Sequence, residues 1–126
     1  MRDAIRRRLV AKITEVSGRV YEPFMGGPKV TLPYIVVKLA GEQSGNINVG
    51  FKAPVEIWIY TERTSIVALD ALCTKVINLL NGQEVIATSG YAYPLDYVGC
   101  SADYYDEDWK ALTRRLDFDS AKVRER

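Results

Sequence analysis

The chain has 126 residues, which is the length of one domain, and we expect residues 1–126 to fold as one unit. Its 17 basic and 16 acidic residues leave a formal net charge of +1, so no overall charge excess attracts it to nucleic acid or to an anionic membrane. The chain contains no histidine, which excludes histidine-based acid–base catalysis and histidine metal ligands.

Its two cysteines are too few for a disulfide framework, which favours folding in a reducing compartment. No apolar run approaches the roughly 20 residues that a membrane-spanning helix needs, and we expect no signal peptide.

The N-terminal segment is predicted to be a helix that Asp3 caps and that runs to about Val16. One face of this helix is apolar and consists of Ile5, Leu9, Ile13 and Val16. The rest is crowded with basic side chains, namely Arg6, Arg7, Arg8 and Lys12. Basic residues near a helix N-terminus oppose the helix dipole by about 0.3–1 kcal/mol each. The sequence leaves three explanations open: a solvated polar face, an acidic surface of a protein partner, or a nucleic-acid backbone.

Two strands and a loop are predicted next. Residues 19–21 form a short strand, and residues 23–28, which contain Gly26 and Gly27 between prolines, form a loop. Residues 32–39 form a second strand, in which Ile35, Val37 and Leu39 face the core. Pro33 belongs at the beginning of this strand because it cannot donate a ladder hydrogen bond.

Residues 41–50 are polar and rich in turn-forming residues, and they join two strands that we expect to pair antiparallel. Most hairpin loops need only about two to five residues. The excess length is explained either by a long plain hairpin or by a loop that contacts a partner. The candidate contact residues are Glu42, Gln43, Ser44, Asn46 and Asn48. For the second explanation, we expect the loop to be mobile in the free subunit and to become ordered on binding.

The predicted core is the strand at residues 54–61 together with the helix that follows it. Val55, Ile57 and Ile59 alternate with more polar side chains, as in a strand with unlike faces. The helix starts after Thr64 or Ser65 and ends at Asn81-Gly82. Its apolar stripe recurs at three- and four-residue steps and comprises Ile66, Leu69, Leu72, Cys73, Val76, Ile77 and Leu80.

The C-terminal third is predicted to contain a short strand within residues 84–89, irregular chain at 91–94 and a strand from about Leu95 to Tyr105. A turn at Asp106, Glu107 and Asp108 leads into a strand at residues 109–118, with Leu112, Leu116 and Phe118 on one face. We expect residues 120–126 to be a frayed tail. The predicted fold is therefore an α+β two-layer sandwich. Two helices cover one face of a sheet of about five strands, either largely antiparallel or mixed.

The sequence offers little chemistry. Ser65 and Ser101 have no histidine partner, so no nucleophilic triad is supported. We interpret the acidic cluster of Asp103, Asp106, Glu107 and Asp108 as a solvated turn; a metal site or an intersubunit salt bridge are the alternatives. Cys73 and Cys100 are interpreted as small core residues. We predict a protein that is not an enzyme and that needs no metal and no cofactor.

The order of these pieces resembles a known family. A helix of the Arg-Arg-Leu-Val-Ala type leads into Arg19-Val20-Tyr21, and a glycine- and proline-rich loop leads into Leu32-Pro33-Tyr34. A variable hairpin, the strand and helix of the predicted core, and a returning strand through Arg114-Arg115-Leu116 complete the order. From Arg2 to Phe118, it resembles the tail-completion, or tail-terminator, proteins of long-tailed bacteriophages.

The resemblance implies a structural protein with no catalytic residues. Such proteins form a ring, usually of six subunits, that sits on the finished tail tube, stops its growth and presents a docking face to the head connector. The implied partners are other copies of the chain, the tail-tube protein and the head-connector or stopper protein, with no membrane and no specific nucleic-acid recognition. The implied location is the host cytoplasm during assembly and then the tail or neck of the virion, with the gene carried by a free phage or by a prophage.

A ring needs two different patches on each subunit, and the chain carries opposed charges that suit this need. Arg6, Arg7 and Arg8 are predicted to lie near Asp106, Glu107 and Asp108 of an adjacent subunit. Two alternatives stay open: another protein of the phage neck that joins head and tail, and a small ligand-binding or regulatory α+β domain.

Overall fold

The computed structural model describes residues 2–16, 18–21, 32–39, 52–86, 90, 92–107 and 110–121. Its two α-helices are α1 (Arg2–Lys12) and α2 (Ile66–Leu80), and a 3-10 turn follows α1 at Thr14–Val16. Its strands are β1 (Val20–Tyr21), β2 (Tyr34–Leu39), β3 (Lys52–Thr61), β4 (Gln83–Ile86), β5 (Ala92–Cys100), β6 (Tyr104–Asp106) and β7 (Ala111–Ala121). Residues 22–31 and 41–50 lie outside the described residues, and so do the loop predictions made for them.

The strands form one mixed sheet in the order β1-β2-β3-β7-β5-β4, and β6 pairs with β7 beyond the end of β5. Only β1 and β2 are parallel among the described pairs. The α+β class is confirmed, but the estimate of about five strands was too low, since the described residues form seven. One reason is that the strand predicted from Leu95 to Tyr105 is interrupted at Ser101–Asp103, and its two halves pair separately with β7.

Both helices pack on the same face of this sheet. α2 lies over the middle of the sheet, against β3, β7 and β5, and α1 contacts β1 and β2 at one edge and β4 at the other. The sheet is therefore curled, because one helix reaches strands from its two opposite edges. The strand face and the helix stripe of the predicted core meet here, and buried members of the two are Ile57, Ile59, Leu69, Leu72 and Val76.

Helix α1 is shorter than predicted. It ends at Lys12, and Val16 belongs to the 3-10 turn, although the predicted apolar face is confirmed as buried. Asp3 does not precede the helix as a cap but lies in its first turn, where its carboxylate pairs with Arg7 at 3.0 Å. An acid in the first turn and its i, i+4 partner both favour the helix, so Asp3 still stabilises the N-terminus.

Helix α2 begins and ends where the sequence predicts. Ser65 is the N-cap, without a hydrogen bond from its side chain, and the Asn81 N–H donates to the Ile77 carbonyl at 2.8 Å. Gly82 follows with φ of +72°, a conformation that favours glycine. Ile66 was wrongly included in the buried stripe: it is 44% exposed, because the first turn of α2 extends beyond the core.

Three predictions for the C-terminal third were wrong. Residues 92–94 are not irregular but begin β5, where Pro94 lies opposite Glu84 of β4. Ser120 is not frayed, since β7 continues to Ala121. The Ser120 side chain is buried on the core face of the sheet. Cys100 is exposed, whereas Cys73 is a core residue whose pKa burial raises to about 11.

Candidate assembly surfaces

The three arginines of α1 all reach carbonyl oxygens of other elements. Arg6 Nε donates to the Val20 carbonyl of β1 at 2.6 Å, and Arg7 Nη2 donates to the Ile86 carbonyl of β4 at 3.5 Å. Arg8 Nε donates to the Leu79 carbonyl in the last turn of α2 at 3.4 Å. These contacts tie α1 to both edges of the curled sheet and to the end of α2.

The Arg8 contact also explains why one of the basic residues of α1 is needed. The last turn of α2 has no basic residue of its own, and the final carbonyls of a helix have no partner within it. A cation near them interacts favourably with the negative end of the helix dipole. Arg8 therefore has a structural role that the sequence alone did not reveal.

A groove lies between α1 and β4, with a volume of about 380 Å³. Its charged side chains are Arg7, Arg8, Lys12 and Glu84, and its floor includes Ala4, Ala11, Val85 and Ile86. We call it the basic groove, because three bases face one acid. The Arg7 and Arg8 contacts across it are longer than the roughly 2.7–3.2 Å of a good N–H···O bond. Exchanging these contacts for a stronger acceptor would leave the 3.0 Å ion pair of Arg7 with Asp3 intact, whereas Arg8 would give up its contact with the end of α2.

The predicted acidic cluster is divided in the structure. Asp103 receives two hydrogen bonds from Arg114, at 2.5 and 3.0 Å, and the same guanidinium contacts Asp70 of α2 at 2.5 Å. The bonds from Arg114 hold the pKa of Asp103 below its usual range. Asp103 is thus part of a junction between β7, α2 and the segment before β6. Asp106 ends β6, Glu107 is exposed, and Asp108 lies outside the described residues.

The two groups of residues that were predicted to form the subunit contact lie in different parts of the chain's fold. Arg6, Arg7 and Arg8 lie on α1 beside β1, β4 and the end of α2, whereas Asp106 and Glu107 lie beside the start of β7. The loop candidates Glu42, Gln43, Ser44, Asn46 and Asn48 lie outside the described residues.

The helix-free face of the sheet has an aromatic half. The Tyr34 and Tyr60 rings stack with their centroids 4.7 Å apart and their planes 12° apart, and burial raises the pKa of Tyr60 to about 12. Trp58 meets the edge of Tyr104 at 6.4 Å, and the Arg115 guanidinium lies 5.9 Å from the Trp58 ring centroid. Aromatic pairs in these geometries stabilise a face that no described helix covers.

The other half of this face is acidic. Glu56 of β3 is directly opposite Asp117 of β7, and Asp96 of β5 is directly opposite Asp119 of β7. Glu84 of β4 lies on the same face, opposite Pro94. We call this set the acidic row, which comprises Glu56, Glu84, Asp96, Asp117 and Asp119. Like charges directly opposite in an antiparallel pair are destabilising.

Two bases partly compensate this half of the face. Arg115 pairs with Asp117 at 2.9 Å, and Lys38 of β2 is the register partner of Glu56. The register places no base opposite Asp96 or Asp119. The row was not predicted from the sequence, because its members come from four strands. Only Asp117 and Asp119, two residues apart on one strand, indicated an acidic face.

No group of three or more metal-ligating side chains is placed to hold a metal ion within the described ranges. None of the described helices is both long and apolar enough to cross a membrane.

Comparison with known proteins gives a similarity of fold. A chain from a solved structure described as "Virion of native gene transfer agent (GTA) particle" superposes with a TM-score of 0.69 at 18% sequence identity. The match covers 97% of this chain and 93% of that one, so the two share a fold over nearly their whole length. No protein-family model and no curated protein matches the sequence.

Proposed function

We propose that this protein is a structural component of a phage or phage-like particle, in which it forms a ring that caps the tail tube and joins it to the head connector. The observation that carries the proposal is the whole-length likeness of fold to a chain of a gene transfer agent virion. The order of sequence pieces, which resembles the tail-completion family, points to the tail end of the neck. This station makes the virion the final location of the protein, after assembly in the host cytoplasm.

The surfaces support a ring physically. Head-to-tail association uses two different patches, each complementary to the other, and closes when the rotation between subunits completes a circle. The basic groove lies on the helix-bearing side of the sheet, and the acidic row lies on the helix-free side. Two patches of opposite charge on opposite sides of one subunit suit such an arrangement.

The proposed partners are other copies of this chain, the tail-tube protein and the head-connector protein. We keep residues 42–48 as the proposed contact loop toward one of these partners. Loops that carry contacts are commonly supported by a rigid scaffold, which the curled sheet provides here.

The experiment that tests the ring is sedimentation of the purified protein up to its solubility limit, followed by electron microscopy of negatively stained particles. We expect annular particles of uniform diameter. Monomeric globules at every concentration, or a monomer that copurifies with a small metabolite, would contradict the proposal.

The station in the particle is tested by inactivating the gene in a particle-producing cell. A tail terminator is expected to leave tails of uncontrolled length that carry no heads. Tails of normal length that fail to join heads would instead assign the protein to another position in the neck. Normal complete particles would exclude both positions.

A further inference from the structure

We infer that the subunit contact is made by the acidic row of one copy docking on the basic groove of the next. This inference rests on the proposed ring and names the two surfaces that build it. The occupant of each surface is therefore a second copy of this chain.

The first argument is the opposition of like charges in the acidic row. Asp96 and Asp119 are directly opposite each other, and among the described side chains the register places no base directly opposite either of them. Arg115 is already paired with Asp117, so it does not neutralise the rest of the row. A fold that needed only stability would not place like charges in opposition, because the arrangement is unfavourable in the isolated subunit. A cationic surface from another copy removes the repulsion.

The second argument is that the guanidinium groups of the basic groove have capacity for a further carboxylate. Arg7 already pairs through Nε with Asp3 at 3.0 Å, but its side chain is 52% exposed and its Nη2 bond to the Ile86 carbonyl is 3.5 Å long. The Arg8 bond to the Leu79 carbonyl is only slightly shorter. A guanidinium binds a carboxylate more strongly than it binds a neutral carbonyl, and it can do so with two parallel bonds. Arg6 differs, since its 2.6 Å bond to the Val20 carbonyl is short and keeps it in place.

The third argument compares the acidic row with the acidic turn at residues 106–108, which the sequence analysis predicted as the contact of the arginines. Asp103, which belongs to the acidic cluster but not to that predicted contact, is held by Arg114 within the same chain, so the turn is left with Asp106, Glu107 and Asp108. The row offers four carboxylates on the helix-free face, from Glu56, Asp96, Asp117 and Asp119, and its fifth, Glu84, lies on the edge strand β4 that also lines the groove. A patch and its complement on opposite sides generate a head-to-tail contact.

The test uses two charge-reversed variants of the full chain. In the row variant, Asp96→Lys and Asp119→Lys make the opposed Asp96–Asp119 part of the row basic, like the groove. In the groove variant, Arg7→Glu and Arg8→Glu make both surfaces acidic. Each variant alone should need a protein concentration about tenfold higher or more to assemble, because every contact then juxtaposes like charges.

The decisive step is to mix the two variants in equal amounts. Each reversed row then meets a groove of opposite sign, and each normal row meets a normal groove, so rings with an even number of subunits should form again. Circular dichroism and thermal unfolding of each variant check that both are folded. A matched control, Asp106→Lys with Glu107→Lys, reverses the acidic turn and should assemble like the parent.

The outcomes separate this inference from the proposed ring. If the parent forms rings and both variants also do, the ring stands and this inference is overturned. If the variants lose assembly and the mixture does not recover it, the two surfaces do not meet, and a basic segment of another virion protein becomes the occupant of the row. If the turn variant loses assembly and recovers it with the groove variant, the turn is the true contact. A parent that is always monomeric overturns the proposed ring itself.

Discussion

The two faces of the sheet differ in what their residues contribute, although the same strands supply both. On the helix-covered face, apolar side chains from every long strand join one continuous core with α1 and α2. On the helix-free face, a cluster around Tyr34, Tyr60 and Ala111 occupies one half, and opposed carboxylates occupy the other. The first face is explained by burial alone. The helix-free face includes opposed carboxylates, which disfavour folding of the isolated subunit. We therefore explain them by contact with a second copy of the chain.

Among the side chains that the structure describes, the covered face has one charged exception. Arg114 lies on the core side of β7, between Leu112 and Leu116, and its side chain is only 16% exposed. Its charge is compensated by Asp70 and Asp103. A buried or half-buried charge needs such partners, and the covered face supplies them. In the acidic row, Asp117 pairs with Arg115, but the register places no base directly opposite Asp96 or Asp119.

The largest expected effect concerns the covered face. Leu72→Ala should lower the free energy of unfolding by about 2–5 kcal/mol, because it leaves a cavity between α2 and the sheet. Val67→Ala on the same helix is the control: Val67 is 77% exposed, and its replacement should change stability by less than about 0.5 kcal/mol. Chemical denaturation measures both. Equal stability of the two variants would show that the assigned face of α2 is wrong.

The next largest effect on stability concerns Arg114, the charged residue of the covered face. Arg114→Leu should lower the free energy of unfolding by about 1.5–3 kcal/mol at neutral pH, since it removes hydrogen bonds to two carboxylates. The folded-state pKa of Asp103 is lowered, so the stabilisation is complete above the ordinary aspartate pKa of 3.8 and is lost as the pH falls through the folded value.

The pH dependence gives a control for that variant. In Asp103→Asn, the part of the acid-induced loss of stability that belongs to this residue should disappear, while other carboxylates still contribute. Denaturation curves between neutral pH and strong acid would show it. A variant whose stability falls with acidification as steeply as the parent would exclude Asp103 as the titrating partner.

A smaller effect is expected in the aromatic half of the helix-free face. A double-mutant cycle with Tyr34→Leu and Tyr60→Leu should give a coupling of about 0.5–1.5 kcal/mol, because the stacked rings interact beyond their burial. A coupling within error of zero would mean that the two rings only share a buried environment.

The smallest effect has the opposite sign. Asp96→Asn should raise the free energy of unfolding of the monomer by about 0.2–1 kcal/mol at low salt, and Asp119→Asn should do the same. The double variant should gain little beyond either single change, since one replacement already removes the opposed pair. Glu62→Gln, which removes an exposed acid outside the sheet, is the control for net charge.

Salt sharpens this last comparison. The gain from Asp96→Asn should diminish at about 1 M salt, where the Debye length is about 3 Å. A gain in the free energy of unfolding that is independent of salt would indicate a packing change. It would contradict the repulsion between Asp96 and Asp119 from which the subunit contact is inferred.

The covered face was largely predictable from the sequence, and the helix-free face was not. The alternation in β3 and the helical spacing of α2 each repeat within one element, so the periodicity alone placed Ile57, Ile59 and Leu72 correctly. The acidic row depends on register between strands that are distant in the chain, which periodicity does not contain. Likewise, the interruption between β5 and β6 and the extension of β7 to Ala121 follow from pairing partners rather than from local propensity.

The most direct measurement of the central claim is a zero-length cross-link between carboxylates and lysine in the assembled protein. A carbodiimide is applied to oligomers reconstituted from equal amounts of ¹⁴N- and ¹⁵N-labelled chains, and mass spectrometry identifies the joined peptides. We predict that Lys12, beside the basic groove, joins Asp96 or Asp119, with half of these cross-links combining one light and one heavy chain. Cross-links from Lys12 that reach only its own chain, or only the turn at residues 106–108 of another copy, would contradict the account.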